Sequence, residues 1–268
     1  MGRLEGKVAI ITGAGAGIAK ASAVAFAKEG AKLALFEINR EAGEKAEREI
    51  RASGGEATFI ETDVTNDESV RHSVAVAVQQ YGKLNVITNC AGGSFQEDLP
   101  VHEMDLEIWH RTIAINLLHP FLCCRHGIPH LIKSGGGSII NFASSLGQTG
   151  SQKPAYAAAK GGVAAFTRTL AAQYAEFGIR ANAIAPGVVR TERVIKRWEN
   201  KESMLAENPP PAARARMMLH KLYPFSVGEP EHIAALAVFL GSDESYMLTG
   251  TTIAADGGKS SYLKVGVE

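Results

Sequence analysis

Tyr156-Ala157-Ala158-Ala159-Lys160 sets a phenol and an ammonium four residues apart, with Ser144 twelve residues upstream of the tyrosine. Residues four apart rise on one face of a helix, so a helical run here holds the two groups side by side. A free tyrosine titrates near ~10 and shuttles protons poorly at neutrality; an adjacent fixed cation favours the phenolate and draws that value toward working pH. A neighbouring hydroxyl then holds a substrate oxygen. The set suits proton transfer at an alcohol or a carbonyl.

A second group of residues points to a partner for that chemistry. The apolar run at 7–12 passes into Gly13-Ala14-Gly15-Ala16-Gly17-Ile18-Ala19, after which the pattern turns helical. Glycines let the backbone turn tightly and approach a pyrophosphate, which the free N–H groups of a helix start attract. Glu37 ends the next strand, twenty residues after Gly17. Its carboxylate is placed to accept hydrogen bonds from an adenosine ribose and to repel a 2′-phosphate, so NAD is preferred over NADP.

The elements that must position these groups alternate along the chain. Residues 7–12, 32–37, 57–61, 84–88, 138–142 and 180–184 read as buried strands. Helical patterns run between and beyond them at 17–29, 40–53, 67–80, 105–133, 154–177 and 230–240. Thr65-Asn66-Asp67-Glu68 offers a cap before its helix, and Gly30, Gly54 and Gly178 fall just past helix ends. Such alternation implies right-handed crossovers and a parallel sheet covered on both faces, a doubly wound α/β domain. Residues 190–228, interrupted by Asn208-Pro209-Pro210-Pro211, fit neither strand nor long helix well. They read as a substrate lid, with a tolerated surface insertion as the alternative.

The 268 residues, 46% apolar and 21% charged, suffice for one large domain. Acidic and basic residues number 28 each and form no polybasic block, which argues against nucleic acid as a partner. The start, Met1 to Gly6, has no signal-peptide pattern, Gly6 defeats a myristoylation signal, and no apolar run reaches bilayer length, so a soluble cytoplasmic protein is expected. Cys90, Cys123 and Cys124 read as reduced and structural. His102, His110, His119, His126 and His130 build no ligand set, so no metal is expected, and surface or subunit-interface roles are preferred. Arg190, Arg193, Lys196 and Arg197 read first as a solvated helical face, with recognition of an anionic substrate as the alternative. Met217-Met218 either line a pocket or pack.

Taken in order, the motifs resemble the short-chain dehydrogenase/reductase family over nearly the whole chain. Thr12-Gly13-x-x-x-Gly17-Ile18-Ala19 is similar to the family's TGxxxGIG turn, with Ala19 where a third glycine is usual. Asp63-Val64 resembles the element that meets the adenine, and Asn89-Cys90-Ala91-Gly92 resembles NNAG with a cysteine in second place. Asn116 matches the helix asparagine, whose backbone bends the helix and holds a water on a proton relay. Pro186-Gly187-Val188-Val189-Arg190-Thr191 resembles the PGxxxT turn that grips the nicotinamide carboxamide, and Ser242-Asp243 with Ala255-Asp256-Gly257-Gly258 resembles the closing helix and strand. The usual serine-to-tyrosine spacing lands on Ala143; a hydroxyl is needed, and counting from Asn141 selects Ser144 over Ser145.

The resemblance implies a Rossmann-type sheet of about seven strands in order 3-2-1-4-5-6-7. It also implies a tetrad of Asn116, Ser144, Tyr156 and Lys160 and hydride exchange between NAD and a secondary alcohol or ketone. A small cyclic or otherwise apolar substrate is the first reading. A 3-oxoacyl carrier-protein reductase and a non-catalytic dinucleotide sensor are the alternatives. A homotetramer pairing through 105–133 and 154–177 is implied as well, with Phe166, Leu170, Tyr174 and Phe177 as a stripe facing either core or partner.

Overall fold

Val8–Thr12 is buried along its whole length, as a run of β-branched and small apolar residues must be when both faces of a strand are covered. The computed structural model describes residues 2–205 and 225–261. The strands of its main sheet are β1 (Val8–Thr12), β2 (Lys32–Glu37), β3 (Glu56–Glu61), β4 (Val86–Asn89), β5 (Gly137–Phe142), β6 (Ile179–Pro186) and β9 (Thr252–Ala255). They are all parallel and lie in the order β3-β2-β1-β4-β5-β6-β9, the doubly wound arrangement. Two short strands, β7 (Val188–Val189) and β8 (Val227–Gly228), pair with each other apart from the main sheet.

Alternation along the strands sends side chains into two cores. Ala9, Ile11, Leu33 and Leu35 meet Phe26 of α1 (Gly17–Lys28), while Val8, Ile10, Ala34 and Phe36 face the layer of α3 (Asp67–Tyr81) and α5 (His119–Lys133). The helix between β2 and β3 is α2 (Arg40–Ala52); α4 (Leu106–Ile113), α6 (Pro154–Tyr174), α7 (Glu192–Leu205) and α8 (Pro230–Gly241) complete the set among the described residues. Asn66 caps α3 by accepting from Ser69 N at 2.9 Å, as its sequence signal suggests. No helix among the described residues is long and apolar enough to cross a membrane.

Three boundaries differ from the sequence reading. The helix expected at 105–133 is interrupted by a π turn, Ala114–Leu118, where His119 N reaches back five residues to Ala114 O. The strand expected at 84–88 begins at Val86, because Leu84 and Asn85 precede the ladder and Asn85 Oδ1 instead accepts from Val8 N. Finally, 190–228 is not uniformly irregular: α7 fills Glu192–Leu205. Its charge-rich sequence concealed the spacing of Val194 and Trp198. The rest of that segment from 206 to 224, with the proline run and Met217-Met218, lies outside the described residues, as do the residues after 261.

One buried polar chain fixes the active face of the sheet. Asn89 and Asn141 are register partners on β4 and β5; Asn89 Nδ2 donates to Asn141 Oδ1 at 2.8 Å, and Asn141 Nδ2 donates to Thr167 Oγ1 of α6 at 2.9 Å. All three residues are buried, so loss of the middle one strands two polar groups away from water. Asn141→Ala is expected to cost about 2 to 3 kcal/mol in urea unfolding; an unchanged midpoint and slope would contradict this linkage between sheet and helix.

Candidate active site

The C-terminal ends of β1, β2, β4, β5 and β6 open into one cavity of about 750 Å³, at the point where strand order reverses between β1 and β4. Gly13 and Gly17 have φ of +71° and +57°, which favour glycine, and a Cβ at Gly13 would lie 2.9 Å from Ala91 Cα. Ala16 before α1 makes no side-chain cap, so the first N–H groups of that helix remain directed at the cavity. Glu37 reaches back over the turn: its Oε2 accepts from Gly15 N at 3.1 Å and its Oε1 from Ile38 N and Asn39 N at 3.0 Å each. Ala19 is buried in the core beneath, so its methyl group packs there and leaves the turn open. Asp63 and Val64 border the same end, with Asp63 Oδ1 held by Thr65 N at 2.9 Å. Glycine backbone, helix N-terminus and an acidic residue at the β2 end together fit a dinucleotide.

At the opposite end α6 presents Tyr156 and Lys160 one turn apart. Lys160 is 5% exposed and donates to Phe142 O at 2.7 Å, and its Nζ lies 5.8 Å from the Tyr156 ring centre. Ser144 and Tyr156 border the cavity together, and Ser144 Oγ accepts from Leu146 N at 3.2 Å. Ser145 is buried next to it, and its carbonyl accepts from Thr149 N and Thr149 Oγ1. Burial drives the Lys160 ammonium down to about 8. Burial also pushes the Tyr156 phenol above its ordinary value, against the opposing influence of the nearby Ser144 hydroxyl and the Arg193 charge. The expectation that the neighbouring cation draws the phenol toward neutrality is therefore corrected. Lys160 lies over the ring face and spends its hydrogen bond on a carbonyl, and desolvation of the phenolate prevails.

Asn116 sits in the π turn, fully buried. Its Oδ1 accepts from Gly93 N at 2.9 Å, and its Nδ2 donates to Gly93 O at 3.0 Å and Thr112 O at 2.9 Å. The amide thus grips both sides of Gly93 in the loop after β4, beside Ala91 and Gly92 on the cavity wall. Asn89 lies deeper, in the polar chain under the site. Pro186, Gly187, Val189 and Thr191 form the far wall, where the Thr191 methyl group faces Gly17. All three cysteines are free.

Two residues at the site, His119 and Asp98, escaped the sequence reading, and Arg193 departs from its first reading. His119, placed there on the surface or at a subunit interface, is fully buried: its Nε2 lies 2.9 Å from Thr12 Oγ1 and its Nδ1 3.2 Å from Ile115 O. Thr12 Oγ1 also accepts from Cys90 N and Ala91 N, so it donates to Nε2, and the imidazole carries its proton on Nδ1. Burial, with the Lys160 charge second, drives this histidine down to about 3 and keeps it neutral. Asp98 is 1% exposed and accepts from Ala155 N at 3.2 Å and Tyr156 N at 3.0 Å, placing a carboxylate on the first turn of α6. Arg193 reaches the cavity rather than forming part of a wholly solvated face. None of these placements had a local signal: Asp98 follows Glu97 in the loop after β4, far along the chain from the helix it serves.

Comparison with known proteins agrees with this arrangement. A family model described as Enoyl-(Acyl carrier protein) reductase matches residues 13–260. The 2,5-dichloro-2,5-cyclohexadiene-1,4-diol dehydrogenase of Sphingobium indicum is 36% identical, covering 96% of this chain and 98% of its own. The cis-4-hydroxycyclohexanecarboxylate dehydrogenase of Sinomonas cyclohexanicum is 35% identical, covering 94% of this chain and 96% of its own. Among solved structures, a 7α-hydroxysteroid dehydrogenase complexed with NADH and 7-oxo glycochenodeoxycholic acid superposes with a TM-score of 0.83 at 31% identity, covering 96% of this chain and 95% of the other. The family model over residues 13–260 and the relatives at 35% and 36% identity over nearly the whole chain show that this chain belongs to the short-chain dehydrogenase/reductase family, a family of oxidoreductases.

Proposed function

We propose that this oxidoreductase exchanges hydride between NAD and a secondary alcohol or ketone carried by a small cyclic substrate, with Tyr156 as general acid and base. The observation that carries the reading is the convergence of Ser144, Tyr156 and Lys160 on the cavity whose other end holds the glycine turn and Glu37. The relatives named for cyclic alcohols support the substrate class, and the NADH-bound relative supports the nicotinamide. When bound, an oxidised nicotinamide would supply the hydride acceptor, with the glycine turn, Glu37 and the 186–191 wall as the parts that would hold the dinucleotide. Ser144 holds the substrate oxygen and stabilises charge developing there. In oxidation Tyr156 as phenolate takes the hydroxyl proton; in reduction the phenol returns it. Lys160 orients the ribose end, while Asn116, by fixing Gly93 and the π turn, keeps the outward proton path in register. Asp98 holds the first turn of the helix that bears both groups. A homotetramer is proposed on family grounds, with Phe121 and Phe177, 43% and 40% exposed, on helices available for pairing.

Four outcomes are expected. Tyr156→Phe keeps NADH binding by fluorescence titration and loses at least about a thousandfold in turnover; wild-type turnover would remove Tyr156 from the mechanism. Because burial raises the phenol, kcat/KM for oxidation should climb through the alkaline range while that for reduction falls; a pH-independent oxidation between 7 and 10 would contradict this. Glu37 should make kcat/KM with NAD exceed that with NADP, and the reverse order would overturn the cofactor assignment. Lys160, depressed by burial, costs the folded state stability below its unfolded value of about 10.5, a cost that is complete once pH falls past about 8. Lys160→Met should therefore raise the neutral-pH melting temperature while abolishing turnover, and a lower Tm would show that the bond to Phe142 outweighs the desolvation.

A further inference from the structure

The outer wall of the cavity carries a guanidinium, that of Arg193, in no ion pair among the described residues. An ideal Cβ on Gly93 would lie 2.2 Å from Arg193 Nη1 and 2.4 Å from Nη2, so the cation rests directly on the Gly93 backbone that Asn116 holds. Arg190, three residues earlier, is paired with Glu229 at 3.3 Å; among the described residues neither Arg193 nor Lys196 is in an ion pair. Positions 193 and 196 share a face of α7, and both border the cavity. Two acidic residues of that cavity, Glu37 and Asp63, lie at its far end and are engaged by backbone amides; Glu192 stands beside Arg193 at the rim. Phe95, Ile115 and Val194 add apolar surface to the lining of the same cavity. The Phe95 ring is itself fixed by Arg111, whose guanidinium carbon lies 4.3 Å from the ring centre.

A position on the phosphate path explains Arg193 less well. Thr191 is the residue that packs on Gly17 at the start of α1, where a pyrophosphate is favoured, whereas Arg193 lies against Gly93 on the Tyr156 side. Arg193 and Tyr156 line the same cavity. A ligand that spans this space needs a carbinol at Tyr156, an apolar body of about one ring and an anion at the far end.

We propose that Arg193 determines specificity by forming an ion pair with a substrate carboxylate, so that the preferred substrate is a cyclic hydroxy acid, or its oxo counterpart, rather than a neutral alcohol. This rests on the hydride-transfer reading of the site. A planar guanidinium binds carboxylate in two parallel hydrogen bonds, and the uncharged analogue leaves the cation without a partner.

The test uses the full chain with NAD and two probes that differ only in charge, 4-hydroxycyclohexanecarboxylate and its methyl ester. Wild-type kcat/KM should favour the acid by roughly 10- to 100-fold, carried mainly by KM. Arg193→Met should collapse the acid-to-ester ratio toward one, Arg193→Lys should recover part of it, and Arg190→Met should retain it. Equal kcat/KM for acid and ester in the wild type would overturn the proposal. So would an Arg193→Met variant that keeps the ratio, or one that loses NADH affinity by as much as it loses the acid, since the arginine would then serve the cofactor. Turnover of the ester alone leaves the hydride-transfer reading standing and sinks the ion pair; NADH binding without turnover of either probe sinks both.

Discussion

The hydrogen bond from the Lys160 ammonium to the Phe142 carbonyl is the constraint on which the rest of the site depends. A cation that is 5% exposed must be held by a fixed acceptor, and this acceptor is the last residue of β5. That strand end is fixed in turn because Asn141, immediately before it, is tied to β4 through Asn89 and to α6 through Thr167. Helix, strand and the Tyr156/Lys160 pair therefore form one unit. Moving α6 would break both the Lys160 bond to Phe142 and the Asn141 bond to Thr167, leaving a buried charge and a buried amide without those partners.

The π turn performs the matching task on the other side of the cavity. The wider turn at Ala114–Leu118 places Asn116 toward Gly93 and sends His119 inward to Thr12. Thr12 is the residue before the glycine turn, and its hydroxyl also takes the amides of Cys90 and Ala91. A single buried network thus joins the phosphate-side turn on β1, the loop after β4 and the helix that backs the tyrosine. Preorganisation of this kind lets small groups act in a low-dielectric site without rearranging during the reaction.

Much of this was legible in the sequence where the signal was local. The β1 run, the positive-φ glycines, Glu37 at the β2 end and the four-residue step from Tyr156 to Lys160 are each set by neighbours in the chain; the alternation of elements gave the doubly wound parallel sheet, and the family resemblance gave its strand order. Contacts between distant residues were not legible. Asp98 serves a helix that begins 56 residues later, His119 turns inward only because the helix widens before it, and Arg193 shows its direction only against Gly93. The pH behaviour of Tyr156 was misjudged for the same reason: spacing gives the neighbouring charge but not the burial that opposes it. Charge alternation hid α7, since its apolar positions are few and its packing surface is supplied by the rest of the fold.

The central claim is direct transfer at one carbon, with the proton handled by Tyr156. Oxidation of a cyclic secondary alcohol deuterated at the carbinol carbon, followed by mass spectrometry of the nicotinamide product, tests it most directly. The account predicts one deuterium per reduced nicotinamide, none released to water, and no such product from Tyr156→Phe. Deuterium lost to solvent, or NAD bound but left unreduced at every pH, would contradict it.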